Sequence, residues 1–426
     1  MLKILFDATM LQIGFEKTSA RSGLYFVAFN VLKELTKTQN VTLSCTEKDK
    51  EIIEKVVKKY LPDFDFEFFV WDKKNPIVKS YENYKFRRTK ARDNKKYFKK
   101  FIYQILSGFL SPFVKLIQKN KYKNFDVYFS PVHCIPQEVE NASNLDRYLI
   151  LYDLIPVLFP EFYPHHDKNS WHARLLNSLN SKDYYFPISE CTKRDFLTHF
   201  SIINPDHVNS ILLASDEHFK PQTLERIREV KGKYNIPENA KYVFSLCTLE
   251  PRKNLIRAVK TFIHFLQKNN IEDLYFVLGG GSWENFLFEL EKEFSNFDNY
   301  KDKILRAGYV EDEDLPALYS GAEWFVYTSM YEGFGLPPLE AMSCACPVVV
   351  SNSSSLPEVV EDTAVMVDWN SDEQHVEAYE KYYFNSKLRE ENRKRGFERS
   401  KEFSWGKTVK NIVDIMYKNE EKRRKL

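Results

Sequence analysis

Apolar runs of four or five residues alternate with helical patterns from the first residues to about residue 188 of this chain, stop, and begin again at Tyr242. Leu2–Phe6, Val41–Ser44, Asp126–Ser130, Tyr148–Leu151 and Tyr184–Ile188 read as strands, with helices from about Gly23 to Thr36 and Lys48 to Tyr60. After a charged stretch between Asp216 and Asn239, bracketed by Pro221 and Pro237, the strands Tyr242–Leu246, Tyr275–Leu278, Trp324–Tyr327 and Pro347–Val350 continue the alternation. A helix over Asn254–Lys268 places Leu255, Ala258, Val259, Phe262 and Leu266 on one face. Strands alternating with helices predict parallel sheets with right-handed crossovers. The expected class is therefore α/β: two Rossmann-like domains facing each other across a cleft, with ligands at the carboxyl ends of the strands. Residues 1–215 make the first domain and 216–404 the second. Residues 405–426 hold a helix that closes the second domain or crosses back to the first.

A chain of 426 residues is about twice a usual domain, and 43% hydrophobic with 15% aromatic residues is enough for two cores. The net charge of +2 argues against a dedicated nucleic-acid binder. No run of about twenty uncharged apolar residues can span a bilayer, and MLKILFDATM, broken by Asp7, reads as a buried first strand rather than a leader. Six scattered cysteines, Cys45, Cys134, Cys191, Cys247, Cys344 and Cys346, read as free, mostly buried thiols of a cytoplasmic protein, with packing favoured over zinc for Cys344 and Cys346.

The stretch YEGFGLPPLEAM, Tyr331 to Met342, follows a strand and carries a glycine-bearing loop between Glu332 and Glu340. Gly333 and Gly335 let backbone N–H groups point outward, and Pro337-Pro338 preset a helix start that adds positive potential. That suits a phosphate or sugar hydroxyls. Two carboxylates reaching one pocket with that loop would accept hydrogen bonds from vicinal hydroxyls. A second turn, CTLEPRKN from Cys247 to Asn254, puts Arg252 and Lys253 between a strand and a helix, where a diphosphate would meet two cations. Taken singly, each of these residues is an ordinary surface charge; the combination is what points to a site.

Those residues give the second half a resemblance to the donor half of glycosyltransferase family 4, retaining enzymes of the GT-B fold. CTLEPRKN, VLGGGS (Val277–Ser282), AGYVEDEDLPALYSGAEWFVYTSMYEGFGLPPLEAM (Ala307–Met342) and SNSSSLPEVV (Ser351–Val360) match in order and spacing. The first half resembles the family more faintly through DATML, SGLYFVAFNVL, LYDLIPVLFPEFY and ISECTKRDF, with little support over Val70–Asn124. The resemblance implies that Arg252 and Lys253 bind the donor diphosphate and Glu340 the ribose hydroxyls. Glu332 would lie beside the transferred sugar. The backbone of Gly333, Phe334, Gly335 and Leu336 would hold sugar hydroxyls and the β-phosphate, Tyr309 and Val310 would lie near the base, and Gly23 near the phosphates from across the cleft. The chain departs from the family pattern at Tyr152-Asp153, where many members have His-Asp, at Cys247 and Ala214, where glycine is common, and at Thr248, where some members carry arginine. Asp153 is a candidate catalytic residue, with helix capping as the plain alternative; His165 and His166 read as loop residues.

The function expected is transfer of a hexose from a GDP- or UDP-sugar to a glycan or lipid-linked glycan with retained configuration, in bacterial surface polysaccharide or lipopolysaccharide assembly. A non-catalytic glycosyltransferase-like subunit and a nucleotide-sugar epimerase are the rivals. No Asp-x-Asp triplet is read at a strand end, so neither metal nor cofactor is expected. Tyr84–Asn124 carries thirteen Lys and Arg against one acid, Asp93, and leads into FIYQILSGFLSPFVKLI. It reads either as a solvated basic loop before an amphipathic core helix or as a surface that docks on anionic lipid, placing the protein peripherally at the inner face of a membrane.

Overall fold

The computed structural model describes residues 1–15, 23–71, 76–93, 97–142, 144–163, 170–248, 250–281, 290 and 299–425. Ser22, Lys95, Lys96, His165, His166, Leu249 and Ser282, which the sequence reading used, lie outside them.

Two six-stranded parallel sheets form the molecule. The first contains β1 (Lys3–Asp7), β2 (Asn40–Cys45), β3 (Phe68–Val70), β4 (Val127–Ser130), β5 (Asp146–Leu151) and β6 (Tyr184–Pro187), in the order β3-β2-β1-β4-β5-β6. The second contains β7 (Lys241–Leu246), β8 (Leu274–Gly279), β9 (Ile304–Gly308), β10 (Trp324–Tyr327), β11 (Val348–Ser351) and β12 (Val365–Val367), in the order β12-β11-β10-β7-β8-β9. Strands β4, β5, β10 and β11 are buried at every residue, as expected for a parallel sheet covered on both faces. That is why they were readable as unbroken apolar runs. Of the four edge strands only β6 is legible in the sequence: β3 (FFV) and β12 (VMV) are three residues long, too short to show a pattern, and β9 (ILRAG) carries Arg306 and a glycine.

Two further differences from the sequence reading have local causes. The charged stretch after Asp216 contains a helix, Leu224–Lys233, whose cap Thr223 accepts a hydrogen bond from Arg226 N. The basic segment is helical too: Pro76–Asp93 and Tyr97–Lys121 form a pair, with Tyr84 and Tyr103 stacked at 6.4 Å. Tyr97–Lys121 is not a core helix, since Phe98, Phe101, Ile105, Phe109 and Leu116 are exposed.

The two sheets are joined by specific bonds. The Glu358 carboxylate accepts the backbone N–H of Glu190 at 2.8 Å and of Cys191 at 2.7 Å, so it caps the helix Glu190–His199 from the opposite half. Ser189 Oγ and Thr192 Oγ1 donate to the Gly333 carbonyl at 2.7 and 3.1 Å. The last helix, Trp405–Lys425, packs on the helix Gly23–Leu35, and its Asn419 and Arg423 bond Tyr148 and the Asn144 carbonyl of the first half.

If Glu358 ties the halves together, Glu358→Ala leaves two helix N–H groups without their acceptor. We expect it to lower unfolding stability by about 1–2 kcal/mol in urea titrations; an unchanged midpoint would leave these two bonds no part in joining the halves.

Candidate active site

Because β10 and β7 are neighbours, the loops leaving their carboxyl ends lie side by side at the centre of the second sheet. After β7 a short turn, Pro251–Lys253, ends at Asn254, whose left-handed backbone (φ 57°) is fixed by side-chain bonds to the Thr328 and Trp369 carbonyls. After β10 the loop runs to the helix Leu336–Ser343. Three serines of SNSSSLPEVV hold it: Ser353 Oγ bonds the Met330 carbonyl, Ser354 Oγ accepts from Glu332 N, and Ser355 Oγ bonds the Glu332 and Phe334 carbonyls. Gly335 has φ +120°, and a Cβ there would sit 2.7 Å from Leu356 Cδ2. A Cβ on Gly333 would stand 3.0 Å from Asp153 Cβ across the cleft. Gly335 is thus required by its backbone conformation, and a side chain at Gly333 would press on Asp153 between the two halves.

Glu332 and Glu340 line one cavity of about 490 Å³ between the sheets. Gly23, Asp153, Lys253 and the loop Gly333–Leu336 share its wall. Glu332 is 8% exposed and bridges two cations, Arg252 Nη1 at 3.0 Å and Lys253 Nζ at 2.8 Å. Burial opposes its ionisation, but Lys253 and Arg252 outweigh burial and hold its pKa below the usual carboxylate value. Lys253 Nζ also donates to Tyr327 Oη at 2.7 Å and reaches the cavity wall. Arg252 does not line the cavity: its guanidinium is buried against Glu332, Glu250, Tyr163 Oη and the Tyr331 carbonyl. Tyr309 is exposed and Val310 lies in the core, both off the cavity wall.

Asp153 is a cap and also lines the cavity. Its Oδ1 accepts the Ile155 N–H at 3.1 Å, an Asx-type cap, and the residue faces Gly333 on the cavity wall. Burial raises its pKa. Tyr152 lines the cavity with its hydroxyl directed away, donating to the Pro131 carbonyl at 2.9 Å.

Around Glu340 stand residues that the sequence did not single out. Tyr319 Oη donates to its Oε2 at 3.1 Å, and Asp216, His218 and Asp312 share the cavity wall, with His218 Nδ1 2.9 Å from Asp216 Oδ1. The usable signal was ASDEHF, residues 214–219, which leaves the first domain and so must cross the floor of the cleft. Asp312 also corrects the reading of the Asp-x-Asp pattern. Asp312 and Asp314 do follow β9 closely, but Asp314 is spent on Arg226, Lys233 and Tyr234. Among the described residues no group of three metal-ligating side chains is assembled.

Comparison with known proteins decides the family. Residues 226–399 match the family described as Glycosyl transferases group 1. The chain is 31% identical over 288 residues to the O-antigen chain mannosyltransferase B of Escherichia coli, an alignment that covers 67% of this chain and 72% of that one. This chain belongs to the group 1 glycosyltransferases. It is also 31% identical over 267 residues to the serotype-specific mannosyltransferase WbdA of Escherichia coli, but spans only 32% of that longer protein. The crystal structure of Anabaena Alr3699/HepE in complex with UDP aligns with 98% of this chain and 100% of its own at a TM-score of 0.66 and 13% identity, and the fold is GT-B.

In this glycosyltransferase, burial of Glu340 raises its pKa from 4.5 to about 7, with Tyr319 and His218 working against the rise and Asp312 and Asp216 adding to it. The folded chain therefore holds a proton that the unfolded chain releases between pH 4.5 and 7. Stability from this group is present below that window and falls as pH rises through it, by about 1–2 kcal/mol once the open side of the cavity is allowed for. Glu340→Gln cannot ionise. Its unfolding midpoint should match the natural protein near pH 5 and exceed it near pH 8; parallel pH profiles would mean that Glu340 is already ionised throughout.

Proposed function

We propose that this enzyme transfers a hexose from a nucleoside diphosphate sugar to a glycan during surface polysaccharide assembly, with retained anomeric configuration. The observation that carries the reading is the single cavity that holds Glu332 and Glu340 at the two ends of the Gly333–Leu336 loop, with Lys253 on its wall. Above about pH 7 an ionised Glu340 is a charged acceptor suited to ribose hydroxyls. Four residues away, the Leu336 N–H at the start of the Leu336–Ser343 helix, whose next two residues are prolines without N–H groups, and the Lys253 ammonium suit a diphosphate. Glu332, held ionised, would then face hydroxyls of the transferred sugar.

In this reading the bond from the sugar's anomeric carbon to the diphosphate oxygen breaks as the acceptor oxygen attacks from the same face. The acceptor proton passes to the departing diphosphate. Lys253, with Arg252 behind it, would stabilise the charge that develops there, and Asp153 would stand where the acceptor enters. The mannosyltransferase names of the relatives make mannose the first sugar to test.

Incubation with a panel of GDP- and UDP-sugars, with and without an extract containing glycan acceptors, separates the alternatives. Acceptor-dependent nucleotide release from one donor is expected. Release from none would favour a non-catalytic subunit, and an epimerised donor without release would favour an epimerase.

We further propose that cations of the protein serve the diphosphate in place of a metal. Turnover should then survive excess EDTA, and complete loss restored by manganese would overturn that. Replacing Arg252 and Lys253 together would strand the buried Glu332 carboxylate at a cost of roughly 3–5 kcal/mol. The cleaner variant is Lys253→Gln, because Arg252 still pairs with Glu332. It should keep most of the folding stability and lose turnover at least a hundredfold, from a charge-assisted contact of about 3 kcal/mol; turnover within a few-fold of the natural enzyme would remove Lys253 from the donor site.

A further inference from the structure

The paired helices Pro76–Asp93 and Tyr97–Lys121 take no part in the cavity. The second has a sharply divided surface. On its inner side Ser107 and Val114 are 4% and 2% exposed. On its outer side Phe98, Phe101, Ile105, Phe109, Phe113 and Leu116 recur every three or four residues and form one stripe. Phe98 is 76% exposed and Phe109 70%. Of the nineteen exposed large hydrophobic side chains among the described residues, nine stand on this helix, so the patch is concentrated and not the usual scatter. From Phe98 to Leu116 the stripe runs about 27 Å at 1.5 Å per residue.

Three properties of the helix pair decide what such a face meets. Arg87, Arg88 and Lys99 are exposed on the same helix pair, in a segment of thirteen basic residues and one acid, so the partner is anionic. No helix among the described residues is long and apolar enough to cross a membrane, and the exposed apolar stripe of this one runs along a single side, so it lies along a surface instead of entering it end-on. The far end is anchored: Lys121 pairs with Glu138 at 3.0 Å beside the buried Tyr122, which holds the stripe rigidly on the first domain.

We infer that this helix pair docks the enzyme on an anionic lipid bilayer, the stripe set at the boundary between headgroups and acyl chains and the basic side chains at the headgroups. The strand β4 follows this helix, and Pro131 just beyond it holds Tyr152 at the cavity, so the membrane face and the site belong to one rigid unit. Delivery of a lipid-borne acceptor to the cleft would follow, a step that rests on the transferase reading; docking itself does not.

Co-sedimentation of the full chain with vesicles tests docking without any activity. Phosphatidylcholine vesicles containing phosphatidylglycerol should bind it at low salt and release it at high salt, and pure phosphatidylcholine vesicles should bind it far less. Arg87→Gln with Arg88→Gln and Lys99→Gln should weaken binding about a hundredfold. Phe98→Ser with Phe109→Ser and Phe113→Ser should abolish sedimentation, and both variants should keep the circular dichroism spectrum and the nucleotide affinity of the natural protein. Equal binding to both vesicle types, or none to either, overturns the inference. So does a dimer in light scattering that the serine variant converts to monomer, since the stripe would then be buried between two copies.

Discussion

A buried carboxylate shared by two cations is the constraint around which the second half is arranged. Glu332 is too enclosed to remain charged by itself, and Arg252 and Lys253 are equally costly to bury unpaired. Together they satisfy one another, but only if the turn after β7 and the loop after β10 meet at one point. Adjacent strands in the sheet bring them there. The left-handed Asn254, the serines at 353 to 355 and the φ of Gly335 are the local means by which the two loops keep that meeting. The three charges are not equivalent once placed: Arg252 is turned inward onto protein partners, which leaves Lys253 as the cation of the pair on the cavity wall.

The same loop is also where the two halves touch. Gly333 presents its carbonyl to the Ser189 and Thr192 hydroxyls and its missing side chain to Asp153, so the loop of the second half and the helix of the first are bonded directly. Glu358, a few residues beyond the serines, caps the same helix. Movement of one half against the other would therefore disturb bonds made by residues at the cavity, which couples the arrangement of the halves to the geometry of the site.

Much of this was legible in the order of residues. Both sheets announced themselves through strands whose every residue is buried, since a central parallel strand is covered on both faces and is mostly apolar, with polar residues at its ends such as Asp146, Arg147, Ser130 and Ser351. Glu332, Glu340, Lys253 and the glycines were found because their types and spacing only make sense as a loop and helix start around a ligand. The edge strands β3 and β12 escaped because three residues show no period, β9 because Arg306 breaks its apolar run, and the helix Leu224–Lys233 because its residues are largely polar. The aromatic helix was weighed between core and surface because an amphipathic period has the same form whether its apolar side faces a core or a lipid.

By itself, then, the sequence determined the alternation, the two α/β units and the presence of glycine-bearing and basic loops at strand ends, all properties of local pattern. Which of those residues share a wall was a tertiary decision. Arg252 and Lys253 are neighbours in the chain with opposite fates, and Asp216, His218 and Asp312 reach Glu340 from segments nearly a hundred residues apart. The pKa of Glu340, the inward turn of the Tyr152 hydroxyl and the outward turn of the Phe98–Leu116 stripe were likewise decided only by packing. Burial and orientation depend on what lies across from a side chain, and a one-dimensional pattern does not contain what lies across.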